Sequence, residues 1–257
     1  MRQAPFSDFH TILTTFLARI HRVPGWKPAG CLVLTLLLSA CASTQSVSRV
    51  AELDRLDAIE DEIPRILVMP PDVKYYLLTT GGVPKPHAEW TIAARSNFEA
   101  ALQGYASDHG TEIRMISDPE ELSMEETAYQ KLYSAVGTSI LIHHFGTMKL
   151  PTKNGSFDWS LGPGVKSIGD NREADYALFT YYRDYQASGG RIAFALLASL
   201  AGVGMSMGSE GGFASLVDLN TGEIVWFNKV LRGEGELRDP AGARQAVDIL
   251  FEGLPEG

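Results

Sequence analysis

Residues 212–230 read GFASLVDLNTGEIVWFNKV. Two runs rich in β-branched and aromatic residues, GFASLVDL and EIVWFNKV, flank Asn220-Thr221-Gly222, and a short glycine-containing connection between such runs marks an antiparallel hairpin. The hairpin commits the C-terminal part of the chain to a sheet. After it, Asp239-Pro240 pairs a capping carboxylate with a first-turn proline, which predicts a last helix with Ala243, Ala246, Val247, Leu250 and Phe251 on its inner face.

Upstream, RILVMPP (65–71) is a short apolar run closed by two prolines, as expected of a buried strand ending at a loop. The glycines and prolines of DVKYYLLTTGGVPKP (72–86) predict a loop. From His87 to His109, Trp90, Ala94, Phe98, Ala101, Leu102 and Tyr105 recur at spacings of three and four, the pattern of an amphipathic helix. TEIRMIS (111–117) reads as a second strand. Asp118-Pro119-Glu120-Glu121 predicts the start of a second helix that buries Leu122, Tyr129, Leu132, Tyr133 and Val136 and closes at Gly137. TSILIHHF (138–145) reads as a third strand. Residues 147–173 are loop-like, with Trp159 placed to pin them, and ADYALFTYYRDYQAS (174–188) reads as a long strand. The expected fold class is therefore α/β: a mixed sheet with helices packed on it, in the order strand-helix-strand-helix-strand, then the C-terminal hairpin and helix.

The N-terminal region carries a different signal. The apolar run Cys31–Ala40 falls well short of the roughly 20 residues needed to span a bilayer as a helix. Arg19, Arg22 and Lys27 precede it and small residues end it, the layout of an export signal. Leu38-Ser39-Ala40-Cys41 resembles a bacterial lipobox, and that resemblance implies cleavage before Cys41 with acylation of its sulfur and new amine. Ala42, rather than Asp, implies by the same analogy the outer membrane of a two-membrane cell. The predicted organisation is a signal peptide over 1–40, a lipidated Cys41 and tether over 41–63, and one periplasm-facing domain over 64–257, with ASTQSVS (42–48) as the flexible part of the tether and RVAELDRLDAIEDEIP (49–64) as a short surface helix or spacer.

Without the leader's four basic and one acidic residues, the chain's 22 basic and 31 acidic residues become 18 and 30, a formal charge of −12. Such a surface argues against nucleic acid as a partner. With Cys31 removed and Cys41 acylated, no thiol pair is left for a disulfide, so stability rests on a packed core.

No nucleophile elbow, zinc-protease motif or phosphate-binding glycine loop occurs, so no enzyme and no cofactor are expected. On a strand, His143 and His144 would point to opposite faces, which argues against a shared metal. Tyr176, Phe179, Tyr181, Tyr182 and Tyr185 offer aromatic surface, but alternation sends about half of such a run into a core. IAFALLASLAGVGMSMGS (192–209) has no charge between Arg191 and Glu210. Three readings compete for it: a buried or oligomer-interface helix or hairpin, a membrane-contacting insertion, or a glycine-rich loop. Its Ile192, Phe194, Leu196, Leu200 and Val203, together with Trp159, are the candidate partner or membrane contacts.

Val217-Asp218, Thr221-Gly222-Glu223 and Val225-Trp226 resemble the closing hairpin of a group of periplasmic lipoproteins that includes the curli-secretion channel lipoprotein and the lipoprotein activator of penicillin-binding proteins. The order of elements over roughly residues 63–252 is similar too. The resemblance implies a lipid-anchored, non-enzymatic interaction or assembly module of the cell envelope with an envelope protein as partner, or alternatively a membrane-inserting homo-oligomeric component of a secretion or transport system. It carries over no catalytic residue.

Overall fold

The computed structural model describes residues 47–48, 64–153, 155–231 and 236–254. The leader, Cys41 and the helix or spacer expected over 49–64 lie outside these residues, save Pro64. Among the described residues, eight strands form one mixed sheet: β1 Val47–Ser48, β2 Ile66–Val68, β3 Asp72–Leu78, β4 Pro84–Pro86, β5 Ile113–Met115, β6 Tyr176–Ala187, β7 Gly208–Asp218 and β8 Ile224–Leu231. Five α-helices accompany them: α1 Ala88–Asp108, α2 Met124–Ile140, α3 Lys166–Arg172, α4 Gly189–Leu200 and α5 Pro240–Leu250.

The sheet is built around β6. Its first residues pair in parallel with β2, from Ile66 opposite Tyr176 to Val68 opposite Leu178, and its later ones pair in parallel with β3, from Asp72 opposite Tyr181 onward. Three residues, Met69-Pro70-Pro71, therefore span what two residues span on β6. That extra residue is a bulge. Prolines suit it because they donate no ladder hydrogen bond. It also resets the alternation, so that Ile66, Val68, Val73 and Tyr75 all reach the same core as Tyr176, Leu178 and Tyr182.

On the other side of β6, the antiparallel hairpin β7–β8 forms as its sequence predicts. Asp218 organises the turn: its carboxylate accepts from the amides of Asn220 (2.7 Å) and Thr221 (3.3 Å), while Gly222 takes a positive φ of 79°. A register shift at Leu216/Val217 sends Val225 and Trp226 into one core and Ile224 and Phe227 into the other. Trp226 is fully buried.

Two cores result, one on each sheet face. α1 and α5 pack together over the first, burying Ala94, Phe98, Leu102, Ala246, Val247 and Phe251. Every inner-face residue expected on the last helix is buried, and Asp239 caps it through Gly242 N at 3.0 Å. The second core gathers Leu67, Tyr133, Ile140, Ala177, Phe179, Phe213 and Phe227 beneath α2 and α3.

Five local expectations are corrected. Residues 72–86 form the hairpin β3–β4 rather than a loop; Pro84 and Pro86 are tolerated because β4 pairs only with β3. Asp118 caps only a 3-10 turn, Pro119–Glu121, and α2 starts at Ser123 with a capping box closed by Glu126. The segment 138–145 is not a strand: α2 runs through Gly137 to Ile140 and continues as a π-helical turn, Leu141–Phe145. Tyr133, Gly137 and Ile140 share a buried face, while Leu132, expected inside, is exposed. Residues 147–173 contain the short helix α3 and two 3-10 turns.

Strand directions define two poles. β6 and β8 run the same way because each is antiparallel to β7, and β6 delivers the chain into α4. β1 is antiparallel to β8, with Val47 opposite Phe227 and Ser48 opposite Trp226. The chain thus enters β1 from the α4 pole. These two residues, read as tether from the sequence, are part of the sheet.

Gly137 is required by packing. A Cβ there would lie 2.0 Å from the Phe213 ring, which is held between Tyr133, Tyr181 and Phe227. Glycine-to-alanine usually stabilises a helix by about 1 kcal/mol. Here overpacking outweighs that gain, and Gly137→Ala is expected to destabilise the domain by about 1–3 kcal/mol, read as a lowered denaturant midpoint.

Candidate functional site

Helix α4 has its polarity reversed. Ser188 caps it, accepting from Arg191 N at 3.2 Å, and the body of the domain holds it through Arg191, Ala195 and the half-buried Ala198, at i, i+4 and i+7. Arg191 donates its Nε–H to the Ser206 carbonyl at 2.8 Å and lies against Gly82 in the β3–β4 turn. Its charge is turned inward. The bulky apolar side chains are turned outward: Ile192 and Phe194 are nearly half exposed, Leu196 is 64% exposed, Leu197 66% and Leu200 86%. Val203 and Met207 in the chain after it, and Val83 on the neighbouring turn, are exposed as well. An ordinary surface helix places its apolar stripe against the core. The segment 192–209 is thus a helix, then a short connection, then the first residues of β7.

Trp159 lies elsewhere. Its main chain pins the 147–173 segment to the hairpin turn: Ile224 N donates to the Trp159 carbonyl at 2.9 Å, and Leu161 N to Gly222 O at 2.8 Å. The indole is half-buried beneath Lys153, 4.8 Å from its ammonium. It borders a cavity of about 200 Å³ with His143, His144, Lys149 and Lys153. His143 donates Nδ1–H to the Met148 carbonyl at 2.7 Å, whereas His144 meets Phe145 and Phe157 edge-on, and burial lowers its pKa. The two imidazoles sit in a helical turn rather than on a strand. Among the described residues, no group of three or more potential ligands is placed to hold a metal.

The aromatic run divides as alternation requires. Tyr176 and Tyr182 enter one core and Phe179 the other. Tyr181 stacks on Phe213 with Arg183 over its outer face at 3.9 Å, and Tyr185 stacks on Tyr76 at 4.9 Å. These last rings remain half-buried at the α4 end of the sheet.

A part-buried polar network near the same pole was not foreseen from sequence. Tyr75 donates its hydroxyl to Glu236 Oε1 at 2.9 Å, and Arg238 grips the same carboxylate through Nε at 2.8 Å and its terminal nitrogen at 2.5 Å. Gln186 bridges Asp184 (3.3 Å) and Glu236 (3.2 Å), and accepts from Arg238 at 3.1 Å. Arg238 also covers Trp90 at 4.3 Å. The Arg238 hydrogen bond holds Glu236 down to about 2, while burial, reinforced by the Glu236 charge, raises Asp184. One signal was available in the sequence: Asp184 falls on the inward face set by Tyr176, Leu178 and Tyr182.

The groups of this network are turned on one another. Glu126 and Arg172 behave alike, joined by two contacts of 2.6 and 3.0 Å, and the Arg172 hydrogen bond is the main cause lowering Glu126 to about 2. Two cavities of about 390 and 250 Å³ flank β5, both bordered by Arg114 and Glu173. No described helix is long and apolar enough to cross a membrane.

No protein-family model and no curated protein matches the chain. Among solved structures, it is similar to the PelC dodecamer of Paraburkholderia phytofirmans in two crystal forms. One, a single-substitution variant, aligns with a TM-score of 0.39 at 10% identity, and the other with 0.37 at 11%. Each alignment covers 84% of this chain and 99% of that one. A likeness this distant carries no argument about function.

Two predictions follow from the geometry. Leu196→Ser with Leu200→Ser is expected to leave the unfolding midpoint nearly unchanged, whereas Ala195→Leu on the inner face lowers it by about 1–3 kcal/mol equivalent. The Glu126 carboxyl has a folded pKa of about 2 against an ordinary value of 4.5. Because that pKa is depressed, its contribution is complete above pH 4.5 and is lost as pH falls from there toward 2, by up to about 3 kcal/mol. Glu126→Gln is expected to be less stable at pH 7 and to lose less stability on acidification, by denaturant titration at both pH values.

Proposed function

We propose that the chain is an envelope lipoprotein, acylated at Cys41 and held on the periplasmic face of the outer membrane, whose domain works as a non-enzymatic contact and assembly module. The observation that carries this reading is α4: a helix with arginine and alanine inward and leucine, isoleucine and phenylalanine outward leaves apolar surface for something other than its own domain. The interior supports it. Glu236 is gripped by Arg238 and Glu126 by Arg172, so these two pairs serve the internal order of the fold. The half-buried tyrosines Tyr76, Tyr181 and Tyr185 with Arg183 add a second surface, of the composition that protein interfaces favour.

A helix of 12 residues is about 18 Å long, against the roughly 30 Å of a hydrocarbon core, so α4 suits contact rather than crossing. The test is Cys41→Ser in the producing cell. The native protein is expected to pellet with outer membranes through a high-salt wash and to carry acyl mass on its N-terminal cysteine, while the variant is released with the soluble periplasmic fraction. A variant that still pellets, with no lipid on the native cysteine, would overturn the anchoring.

A further inference from the structure

We infer that the cavity bordered by His143, His144, Lys149, Lys153 and Trp159 is a binding site for an oxyanion, the phosphate or carboxylate group of a small molecule. Its polar lining consists of donors in want of an acceptor.

Charge along the chain is uneven. The sequence holds 31 acidic residues against 22 basic ones, yet residues 127–157 contain no Asp or Glu, and their charges are Lys131, Lys149 and Lys153. Two of these lysines border the cavity. Another, Lys229 of β8, is 7% exposed and holds its ammonium 4.7 Å from the Phe145 ring, next to His144 in sequence. Neither Lys149 nor Lys229 has a carboxylate partner among the described residues. Lys153 has one, Asp158, at 3.0 Å. An acidic chain thus gathers positive charge at one place.

The backbone there is also unusual. α2 leaves its regular path at Leu141 and makes a π-helical turn to Phe145, a device that is rare and recurs at functional sites. Gly146 ends the turn, since a Cβ there would collide with the Ile142 carbonyl. His143 gives Nδ1–H to the Met148 carbonyl, which leaves its Nε2 unused. Lys149 gives one N–H to the His144 carbonyl, covering the negative end of the helix, and keeps two further donors.

The unmet donors define the ligand. The indole N–H of Trp159 is buried without a hydrogen-bond partner. Buried donors nearly always have one, and an indole, like a lysine, can only donate. Neither ring nitrogen of His144 bonds to a described residue, and burial beside Lys149 lowers its pKa, so it stays neutral with one N–H to give. The hollow measures about 200 Å³, several times the roughly 30 Å³ of a water. A metal ion or an organic cation would meet two ammonium groups and no carboxylate. An oxyanion instead supplies acceptors to every donor, through charge-assisted bonds.

The test is a titration of the purified, nitrogen-15-labelled protein with inorganic phosphate and, separately, with acetate, followed by NMR at constant ionic strength set with chloride. The Trp159 indole signal, assigned through Trp159→Phe, is expected to move downfield and saturate with a dissociation constant of about 1 mM. The Trp226 indole also lacks a partner but is fully buried in the first core, and its signal is expected to stay still. Tighter phosphate assigns a phosphoryl ligand and tighter acetate a carboxylate. Lys149→Gln, which keeps a donor for the His144 carbonyl, is expected to weaken binding about tenfold, with the unmoved Trp226 signal reporting an intact fold. Lys153→Gln, which leaves Asp158 unopposed, is expected to weaken it as well, and Lys131→Gln to leave it unchanged. A Trp159 signal that ignores both anions, or that answers equally to added chloride, overturns the site, as does undiminished binding in both the Lys149 and Lys153 variants.

Discussion

The domain depends on keeping two apolar faces in phase along one strand. β6 pairs with β2 and β3 in succession on one side and with β7 on the other, so any slip would send its buried residues to the wrong face. The extra residue at Met69-Pro70-Pro71 absorbs the mismatch. With it, Tyr176, Leu178 and Tyr182 stay beneath α1 and α5, while Ala177 and Phe179 stay beneath α2 and α3. The proline pair that closes the first apolar run of the sequence is therefore also what allows a second strand to continue on the same partner.

How much was legible depends on how local the deciding physics is. The β7–β8 hairpin, α1, β5, β6 and α5 are set by turn chemistry, capping and periodicity over a few residues, and each forms where its pattern lies. The misread elements are decided at a distance. Gly137 looks like a helix stop, but it is the residue that lets α2 approach Phe213, 76 positions later. The prolines of β4 look like loop residues until an edge position makes their missing donors harmless. The site divides the same way. An uncharged run is visible in any window, and Ile192, Phe194, Leu196, Leu200 and Val203 all prove exposed. That the run is half helix, held by its alanines, depends on the β3–β4 turn more than a hundred residues earlier. The Tyr75–Asp184–Gln186–Glu236–Arg238 network joins three separate parts of the chain, and only Asp184 announces itself.

Polarity is distributed to match. Two carboxylates are paired with arginines and held low by them, Glu236 by Arg238 and Glu126 by Arg172, while Asp184 is raised by its burial. The surface of α4 is left almost featureless electrostatically. A domain arranged this way presents greasy surface at one end, with Arg191 turned inward beneath it.

The two-residue strand β1 has a further consequence. Among the described residues it is the outermost row of the sheet beside β8, a two-residue ladder that pairs with Trp226 and Phe227. Peeling it away would leave an open rim able to template an incoming strand. A pull on the leading segment of the polypeptide would therefore bear first on this two-residue row, the shortest ladder of the sheet.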